Sequence, residues 1–389
     1  MPTYKPYRLE QAELLPRHVR DVLGEGHLCF LVHELVERLD TSEFEQVYGE
    51  EGGQCPYHPR LLLKVWLYAF ALNVKTTRKL EQRIREDLGF RYLAAGAAPD
   101  HKTLNEFQRR HAGAIRRLFT QVLGLLRRAG LARLGTVAID TTRIKASASR
   151  QRLVTEAELE RKVAQWQEAI EDDPDRTPGT EVAAEDRARV REQLERLKAS
   201  GESKLSTTDP EARFVRERGG FVLGYTAEIA VSEDHFIVAE RVTQNKTDNQ
   251  SLLPLVEEVE RQCRARPKVV LADSGFYSNH NLEAMEELGI EAYVPDSNLM
   301  RELHRGERKH LAPRHPLLVR AGEKLRSPAG RRQYERRKAL VEPVIGILKQ
   351  QRGMRQFERR GLSKVAVEFT LAAIAFNLAR LHRLRAALR

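Results

Sequence analysis

Two short apolar segments, far apart in the chain, each end at an aspartate, and they restrict the possible folds more than any other feature. The first runs from Val137 to Asp140 (VAID) and the second from Val269 to Asp273 (VVLAD). Continuous apolar runs of this length are typical of strands buried on both faces. In α/β sheets, functional side chains collect near strand ends, where they project into a crevice. We therefore expect Asp140 and Asp273 on neighbouring central strands, facing one point.

Two carboxylates at one crevice are costly, because each loses hydration and each repels the other. A divalent cation relieves both effects, so the pair indicates a candidate metal site. The alternative is that each aspartate caps the turn after its strand, and Asp273-Ser274-Gly275 has the composition of a turn. A third acidic residue would favour the metal site.

The segments around these strands predict a mixed α/β sheet over residues 131–389. FVLGYTAEIAV (221–231) and HFIVAERVT (235–243) predict an antiparallel hairpin, because only SED separates them and apolar residues alternate along the first strand. A helix (LLPLVEEVERQ), the strand that ends at Asp273, a second helix (NLEAMEELG) and another strand (IEAYV) follow. Strands that alternate with helices in this way are typical of a sheet with flanking helices.

Residues 1–130 predict a separate all-α domain. Pro59 has the place of a first-turn proline, and Asp100 is a candidate N-cap for HKTLNEFQRRH. Short helices ending in a segment with Lys102, Arg109 and Arg110 are typical of a helix-turn-helix-like DNA-binding unit. The alternative is a helical bundle with a polar outer face.

Two segments interrupt the expected sheet. Residues from 152 to about 215 are dense in charge and predict a helical insertion, whereas residues from about 296 to 330 predict a basic loop rich in Pro, Gly and His. His304, His310 and His315 are spaced in a way that could suit a metal, but no cysteine lies beside them, which favours the loop.

The net charge of +11 is unevenly distributed. Lys and Arg greatly outnumber Asp and Glu from Arg301 to Arg389, whereas the first 300 residues have a small acidic excess. A basic surplus confined to one segment indicates a polyanionic partner such as nucleic acid. The alternative is a solvated face that is basic without function.

Cys29, Cys55 and Cys263 are widely spaced, which disfavours a disulfide framework or a zinc site and fits a reducing cytoplasm. The polar first residues, MPTYKPYRLE, lack the apolar core of a signal peptide. The most apolar stretch, 365–381, contains Glu368 and Arg380, so we expect a buried C-terminal helix and no membrane partner.

A candidate third acid lies in RRQYERRKALVEPVIGILKQQRG. On a helix, Lys338, Glu342, Gly346 and Lys349 share one face, which places one acid among cations beside an uncrowded glycine. The alternative is an ordinary ion pair between Lys338 and Glu342. Pro343 has no N–H to donate, so we expect a bend or a helix start there.

Three carboxylates of this kind suit two Mg²⁺ or Mn²⁺ ions, which prefer oxygen ligands. A metal pair can clamp the attacking and the leaving oxygen of a phosphoryl transfer. We see no convincing Ser-His-Asp or Cys-His set that would indicate a covalent enzyme intermediate.

Several of these segments, in order and over nearly the whole chain, resemble the bacterial insertion-sequence transposases with a DDE triad on a ribonuclease-H-like fold. The resemblance rests on VAIDTTRIKASASR, STTDPEARF, GGFVLGYTAEIAV, LADSGFYS and VEPVIGILKQQRGMRQFERRG. YHPRLLLKVWLYAF, EDLGFRYLAAG and PDHKTLNEFQRRH resemble the helical N-terminal domain of the same family. The resemblance implies a five-stranded mixed sheet with flanking helices after an all-α DNA-binding domain.

The resemblance also implies site residues. Asp140, Asp273 and Glu342 would be the catalytic, metal-binding triad. Phosphates of the DNA would contact a set of tyrosine and basic residues near the glutamate: Tyr334, Arg337 or Lys338, Lys349 and Arg352. The family's common pattern has tyrosine seven and arginine four residues before the glutamate, whereas here tyrosine stands eight before and Lys338 takes the basic position.

The activity implied is that of a DNA transposase of an insertion sequence. With Mg²⁺ or Mn²⁺ it would cut at transposon ends, free a 3′-OH and transfer that strand to target DNA. A homodimer on paired ends and a bacterial cytoplasmic, nucleoid-associated location are further expectations. The alternatives are a structure-specific nuclease of the same fold and a domesticated DNA-binding protein without catalysis.

Overall fold

The structure, a computed structural model, describes residues 18–48, 55–171, 181–217, 219–305 and 315–387. The helices before the first strand are α1 (Val19–Val22), α2 (Leu28–Glu37), α3 (Ser42–Glu45), α4 (Pro59–Ala71), α5 (Thr77–Glu86), α6 (Leu88–Leu93), α7 (His101–Arg110) and α8 (Ala112–Arg128). The elements that follow are β1 (Thr136–Lys145), β2 (Leu153–Thr155), α9 (Glu156–Glu171), α10 (Glu181–Ser200), β3 (Lys204–Ser206), β4 (Arg213–Glu217), β5 (Gly220–Ser232), β6 (Ile237–Thr243), α11 (Leu252–Cys263), β7 (Val269–Leu271), α12 (Asn279–Glu287), β8 (Glu291–Tyr293), α13 (Ser297–Arg305), α14 (Pro316–Arg326), α15 (Pro328–Gln350) and α16 (Leu362–Ala387).

The N-terminal helices begin where the sequence predicts. Pro59 is the first residue of α4, and the Asp100 carboxylate accepts a hydrogen bond of 2.8 Å from the Thr103 N–H at the start of α7. Trp66 on α4 is fully buried and donates its indole N–H to the Leu104 carbonyl at 3.2 Å. This bond joins the buried helix α4 to α7.

The main sheet has the order β6-β5-β1-β7-β8. β1 pairs antiparallel with β5 and β5 antiparallel with β6, whereas β7 pairs parallel with β1 and β8 parallel with β7. This is the ribonuclease-H-like arrangement expected from the sequence, and the β5–β6 hairpin is confirmed. A sixth strand, β4, pairs with residues 220–224 of β5, so the expected count of five strands was too low.

One edge of β1 is only partly covered. β7 pairs with it from Thr136 to Ala138, and the chain near Gln356 bridges it at Lys145. Residues 139–144 lie between these contacts, and four of them, Asp140 to Arg143, line one cavity. The gap forms because β7 is short and ends just before Asp273.

A continuous apolar core joins the N-terminal helices to the sheet. Helix α16 lies at its centre and packs on α2, α4, α8 and β6. Within the described ranges α16 is the one helix long and apolar enough to cross a membrane, with a mean hydropathy of 1.5, but 83% of that window is buried in the protein. This confirms the expected buried helix.

The charged insertion is a small unit of its own. Strands β2 and β3 pair with each other, and Leu159, Val190, Leu197 and Leu205 form an apolar cluster apart from the main core. The insertion is shorter than the expected 152–215, because Val215 is buried and β4 belongs to the main sheet. Its middle, residues 172–180, lies outside the described residues.

The prediction of a basic loop at about 296–330 was wrong. The described part of this segment contains α13 and α14. Pro316 starts α14, and Leu325 on this helix is buried. The dense basic residues hide this amphipathic pattern. His315 lies directly before α14 with Nε2 3.6 Å from Glu283 Oε1, His310 lies outside the described residues, and the structure gives no side-chain description for His304.

Helix α15 runs without interruption through Pro343, so the expected helix start at this residue was wrong. Proline cannot donate to the carbonyl four residues earlier, which is that of Ala339. His235 in the β5–β6 turn donates from Nε2 to this carbonyl at 3.1 Å. The proline is therefore tolerated because another element satisfies the free carbonyl.

Candidate active site

A cavity of about 610 Å³ opens at the uncovered edge of β1. Asp140, Asp273 and Glu342 all line it, although they come from a strand, a turn and a helix. The structure therefore brings the three sequence-predicted acids to one place. The cavity lies beyond the carboxyl end of β7, and sites in α/β sheets usually lie at the carboxyl ends of strands.

Asp140 is the most constrained of the three. Its Oδ1 accepts the Thr141 N–H at 2.8 Å, and its Oδ2 accepts a hydrogen bond from Arg337 Nη1 at 3.0 Å. Burial raises the pKa of Asp140 to about 6, and the nearby charge of Asp273 acts in the same direction against the opposing effect of Arg337. Burial therefore outweighs the stabilisation of the ionised Asp140 carboxylate by Arg337.

Asp273 stands at the end of β7 and also caps the turn that follows. Its Oδ1 accepts the Gly275 N–H at 2.8 Å, at the start of a single 3₁₀ turn, Ser274–Phe276. The capping interpretation is therefore correct, and it does not exclude a place in the cavity. A Cβ at Gly275 would lie 3.1 Å from Asp273 Oδ1 and 3.1 Å from Asp248 Oδ2, so glycine permits a close approach of two acids.

Glu342 reaches the cavity from the exposed face of α15. Gly346 and Lys349 line the cavity with it, as the helical spacing predicts. A Cβ at Gly346 would meet no atom within 4 Å, so the space beside Glu342 is open. This space can admit a large ligand.

Arg337, rather than Lys338, faces the acids. Arg337 is 7% exposed and contacts Asp140, whereas Lys338 is exposed on the outer side of α15. Tyr334 is partly buried beside Arg337, and burial raises the pKa of its hydroxyl. The structure therefore places Tyr334 and Arg337 next to the site and directs Lys338 to solvent.

Lys349 lines the cavity, and Arg352 does not. Lys349 Nζ lies 3.4 Å from Glu217 Oε1 at the end of β4. Arg352 instead donates from Nη1 to the Ala71 carbonyl of α4, and burial lowers its pKa. Arg352 thus joins two elements of the fold, and its expected role as a DNA contact stays a prediction.

The predicted DNA-binding residues of α7 differ in how they are engaged. Lys102 is exposed, whereas Arg109 pairs with Glu106 at 2.7 Å, and Arg110 lies 3.7 Å from Glu106 and over the Tyr48 ring. Near them, Gln108 accepts a hydrogen bond of 2.6 Å from Arg359, so part of the polar face of α7 binds the chain itself.

Sequence reasoning missed four charged residues that also line the cavity: Arg143, Arg216, Glu217 and Asp248. Asp248 lies in the TQNKTDNQ segment, whose composition is that of an ordinary turn between a strand and a helix. Arg143 stands three residues after Asp140, and this short distance along the chain could have indicated that it lies near the site.

No group of three or more His, Cys, Asp or Glu side chains is preassembled to hold a metal ion, as far as the described residues show. The three acids share the cavity, but their oxygen atoms do not yet converge on one point. Their carboxylate oxygens are nevertheless the ligands that a hard divalent cation prefers.

Two family models match the chain. One, described as a transposase domain (DUF772), matches residues 17–110, and the other, described as a transposase DDE domain, matches residues 300–382. The second match includes Glu342 and Lys349, whereas Asp140 and Asp273 lie outside both. No curated protein matches the chain.

Solved structures of the Mos1 transposase match most of the chain at low identity. The Mos1 paired-end complex with left transposon end is 12% identical over 90% of this chain and 96% of that chain, with a TM-score of 0.20. The Mos1 strand transfer complex is 11% identical over 87% of this chain and 98% of that chain, with a TM-score of 0.19. At these TM-scores the fold assignment depends on the strand order alone.

Proposed function

We propose that the chain is an insertion-sequence transposase of the DDE class that cuts DNA at the transposon ends and transfers the cut strand to target DNA. The matches to a transposase domain model and a transposase DDE domain model support this proposal. The observation that carries this proposal is the meeting of Asp140, Asp273 and Glu342 in one cavity beside Lys349. A cavity that contains both acids and cations suits a phosphodiester that must be both bound and activated.

We propose that two Mg²⁺ or Mn²⁺ ions are the cofactors and that Asp140, Asp273 and Glu342 hold them. These ions would supply Lewis-acid activation of water and stabilisation of the leaving oxygen. The cavity suits these ions for two reasons. It supplies carboxylate oxygens, and it contains Asp140, whose pKa burial and Asp273 raise to about 6. A cation bound beside this carboxylate would favour its ionised form.

The chain's own residues have distinct roles in this proposal. Arg337 keeps Asp140 in one orientation through the 3.0 Å hydrogen bond. Lys349 neutralises a phosphate of the bound strand, for which it must leave Glu217, its partner at 3.4 Å. Tyr334 supports Arg337 from the buried side, and Lys338 contacts DNA farther along α15.

DNA is the proposed partner, with Lys102, Arg109 and Arg110 of α7 and the basic C-terminal region as contacts. Two copies of the chain on paired transposon ends would complete the reaction, since both ends must be joined to one target. A bacterial cytoplasmic location, associated with the nucleoid, follows from this substrate.

The triad is tested by Asp140→Asn, Asp273→Asn and Glu342→Gln in a cleavage assay on duplexes that contain the inverted repeats flanking the coding region. We expect each variant to lose at least about 1000-fold in cleavage rate with Mg²⁺, because each removes one oxygen ligand of the metals. Glu335→Gln, an exposed acid on the same helix, should cut like the unmodified protein.

The cleavage assay and an excision assay in cells separate the alternatives. Cutting confined to branched junctions would indicate a structure-specific nuclease. Excision in cells at an unchanged frequency after Asp140→Asn and Glu342→Gln would show that the triad does not catalyse it.

A further inference from the structure

The cavity has a second polar wall that the triad does not account for. Side chains alternate along a strand, so Thr141 and Arg143 point to the opposite face of the sheet from Asp140. On that face they meet Asp248 in the segment before α11. Asp248 Oδ1 accepts hydrogen bonds from Thr141 Oγ1 at 2.8 Å and from Arg143 Nη2 at 2.9 Å, and Arg143 Nη1 lies 3.1 Å from Thr141 Oγ1.

This cluster lies next to Asp273. Asp248 Oδ2 and Asp273 Oδ1 are each 3.1 Å from where a Cβ of Gly275 would be. Arg143 and Asp248 are both largely buried, with side chains 12% and 20% exposed, and both line the cavity with Asp140, Asp273 and Glu342.

Arg143 has donor capacity that the protein does not use. Its Nε is buried and finds no acceptor among the described residues. A buried donor without a partner is costly, so the protein alone does not fully satisfy this guanidinium. A guanidinium has a planar fork of donors that suits a phosphate, and phosphate is the group that a DNA strand would bring here.

We propose that Arg143 contacts a phosphate of the DNA strand in the cavity and that Asp248 is the positioning residue that holds Arg143 for this contact. The inference rests on the proposed function, since it concerns the same cavity. Without Asp248, a free guanidinium in a cavity lined by three acids would be drawn to them and would compete with the metals. Asp248 keeps Arg143 on the other wall and removes most of its side-chain freedom before DNA binds.

The alternative role for Asp248 is that of a metal ligand. Two observations favour positioning: its Oδ1 already accepts two hydrogen bonds, and both donors belong to β1, the strand that carries Asp140. The two roles differ in a measurement that needs no catalysis, which is the affinity of the DNA-free protein for Mn²⁺.

The test uses the full chain with Asp248→Asn, Arg143→Gln and the double variant, each assayed for cleavage of the flanking-repeat duplex. We expect each single variant to lose about 10- to 100-fold in rate. Because Asp248 acts through Arg143, adding Asp248→Asn to Arg143→Gln should change the rate by less than about 2-fold. If the double variant loses the product of the two single-variant losses in cleavage rate, the proposal is overturned.

Two binding readouts complete the test. Mn²⁺ affinity by electron paramagnetic resonance should stay within about 2-fold for Asp248→Asn, and a fall of about 10-fold or more would make Asp248 a metal ligand. DNA affinity is also measured in Ca²⁺ at several salt concentrations. The slope of log affinity against log salt should be smaller for Arg143→Gln, by about the amount that one phosphate contact contributes. An unchanged salt dependence would also overturn the proposal.

Controls separate folding and function from this inference. Glu202→Gln removes a partly buried acid paired with Lys246 at 2.8 Å, outside the cavity, and should cut at the normal rate. If Asp248→Asn has a lower melting temperature than the unmodified protein, Arg143→Lys is assayed instead. We expect partial cleavage by this variant, and full cleavage would contradict a role for the guanidinium's fork of donors. An unmodified protein that does not cut DNA would refute the proposed function, whereas normal cutting by every variant would refute only this inference.

Discussion

Asp140 and Arg337 show at the residue scale what the sequence could and could not predict. An apolar run that stops at an acid identifies Asp140, although the strand itself continues to Lys145. The pairing with Arg337 could not be predicted, since Arg336, Arg337 and Lys338 are consecutive cations. Only the packing of α15 on the sheet decides which of them is buried.

Arg337→Gln and Lys338→Gln therefore form a matched pair of substitutions. Arg337 is buried against Asp140, so its loss leaves a buried carboxylate without its cation and should destabilise the fold by about 3 kcal/mol and reduce cleavage. Lys338 is exposed, and its loss should change stability by less than about 0.5 kcal/mol. Thermal and urea denaturation measure both, and equal effects would contradict the assignment of the basic position to Arg337.

Asp248 could not be predicted as a cavity residue, because its neighbours in sequence do not indicate its neighbours in space. It is 107 residues from Thr141, with which it shares a hydrogen bond. Contacts of this range depend on the order of strands in the sheet, and the sequence of a turn does not contain that order.

At the scale of elements, most strands and helices were predicted from the sequence, whereas β4, α13 and α14 were not. The β5–β6 hairpin and α16 follow from alternation and from apolar length. β4 (RFVRE) has three charged residues in five and becomes a strand because it pairs with β5. α13 and α14 were hidden by their basic composition, which is common to loops and to solvated helix faces.

The contact between β6 and α16 gives a prediction about pH. Glu240 on β6 is buried, and Thr370 Oγ1 on α16 donates to it at 2.6 Å. Burial raises the pKa of Glu240 from 4.5 to about 7. Because the folded state holds this proton more tightly than the unfolded chain, the stabilisation is complete below about pH 4.5 and is lost as pH rises through 7.

Glu240→Gln should therefore flatten the pH dependence of stability between pH 5 and 8 and make the protein more stable than the unmodified chain at pH 8, by an amount on the order of 3 kcal/mol. Melting temperatures across this pH range are the measurement. Glu257→Gln, an exposed acid on α11, is the control and should follow the unmodified protein. A Glu240→Gln variant with the same decline toward pH 8 would show that Glu240 does not control it.

At the scale of the whole molecule, the N-terminal helices and the sheet share one core through α16. The sequence indicates two segments of different composition, but it does not reveal that a C-terminal helix packs on both. This arrangement fixes α15 beside the sheet, since α15 and α16 are joined by the short segment that bridges β1 at Lys145. The position of Glu342 relative to Asp140 therefore depends on the complete chain.

The central claim is that Asp140, Asp273 and Glu342 together bind the metals that act on DNA. The most direct measurement is anomalous diffraction from crystals of the protein with flanking-repeat DNA soaked in Mn²⁺. We expect two manganese ions in the cavity at the edge of β1, with all three acids as ligands and a phosphate between them. Manganese bound elsewhere, or bound by the two aspartates with Glu342 turned away from it, would contradict the claim.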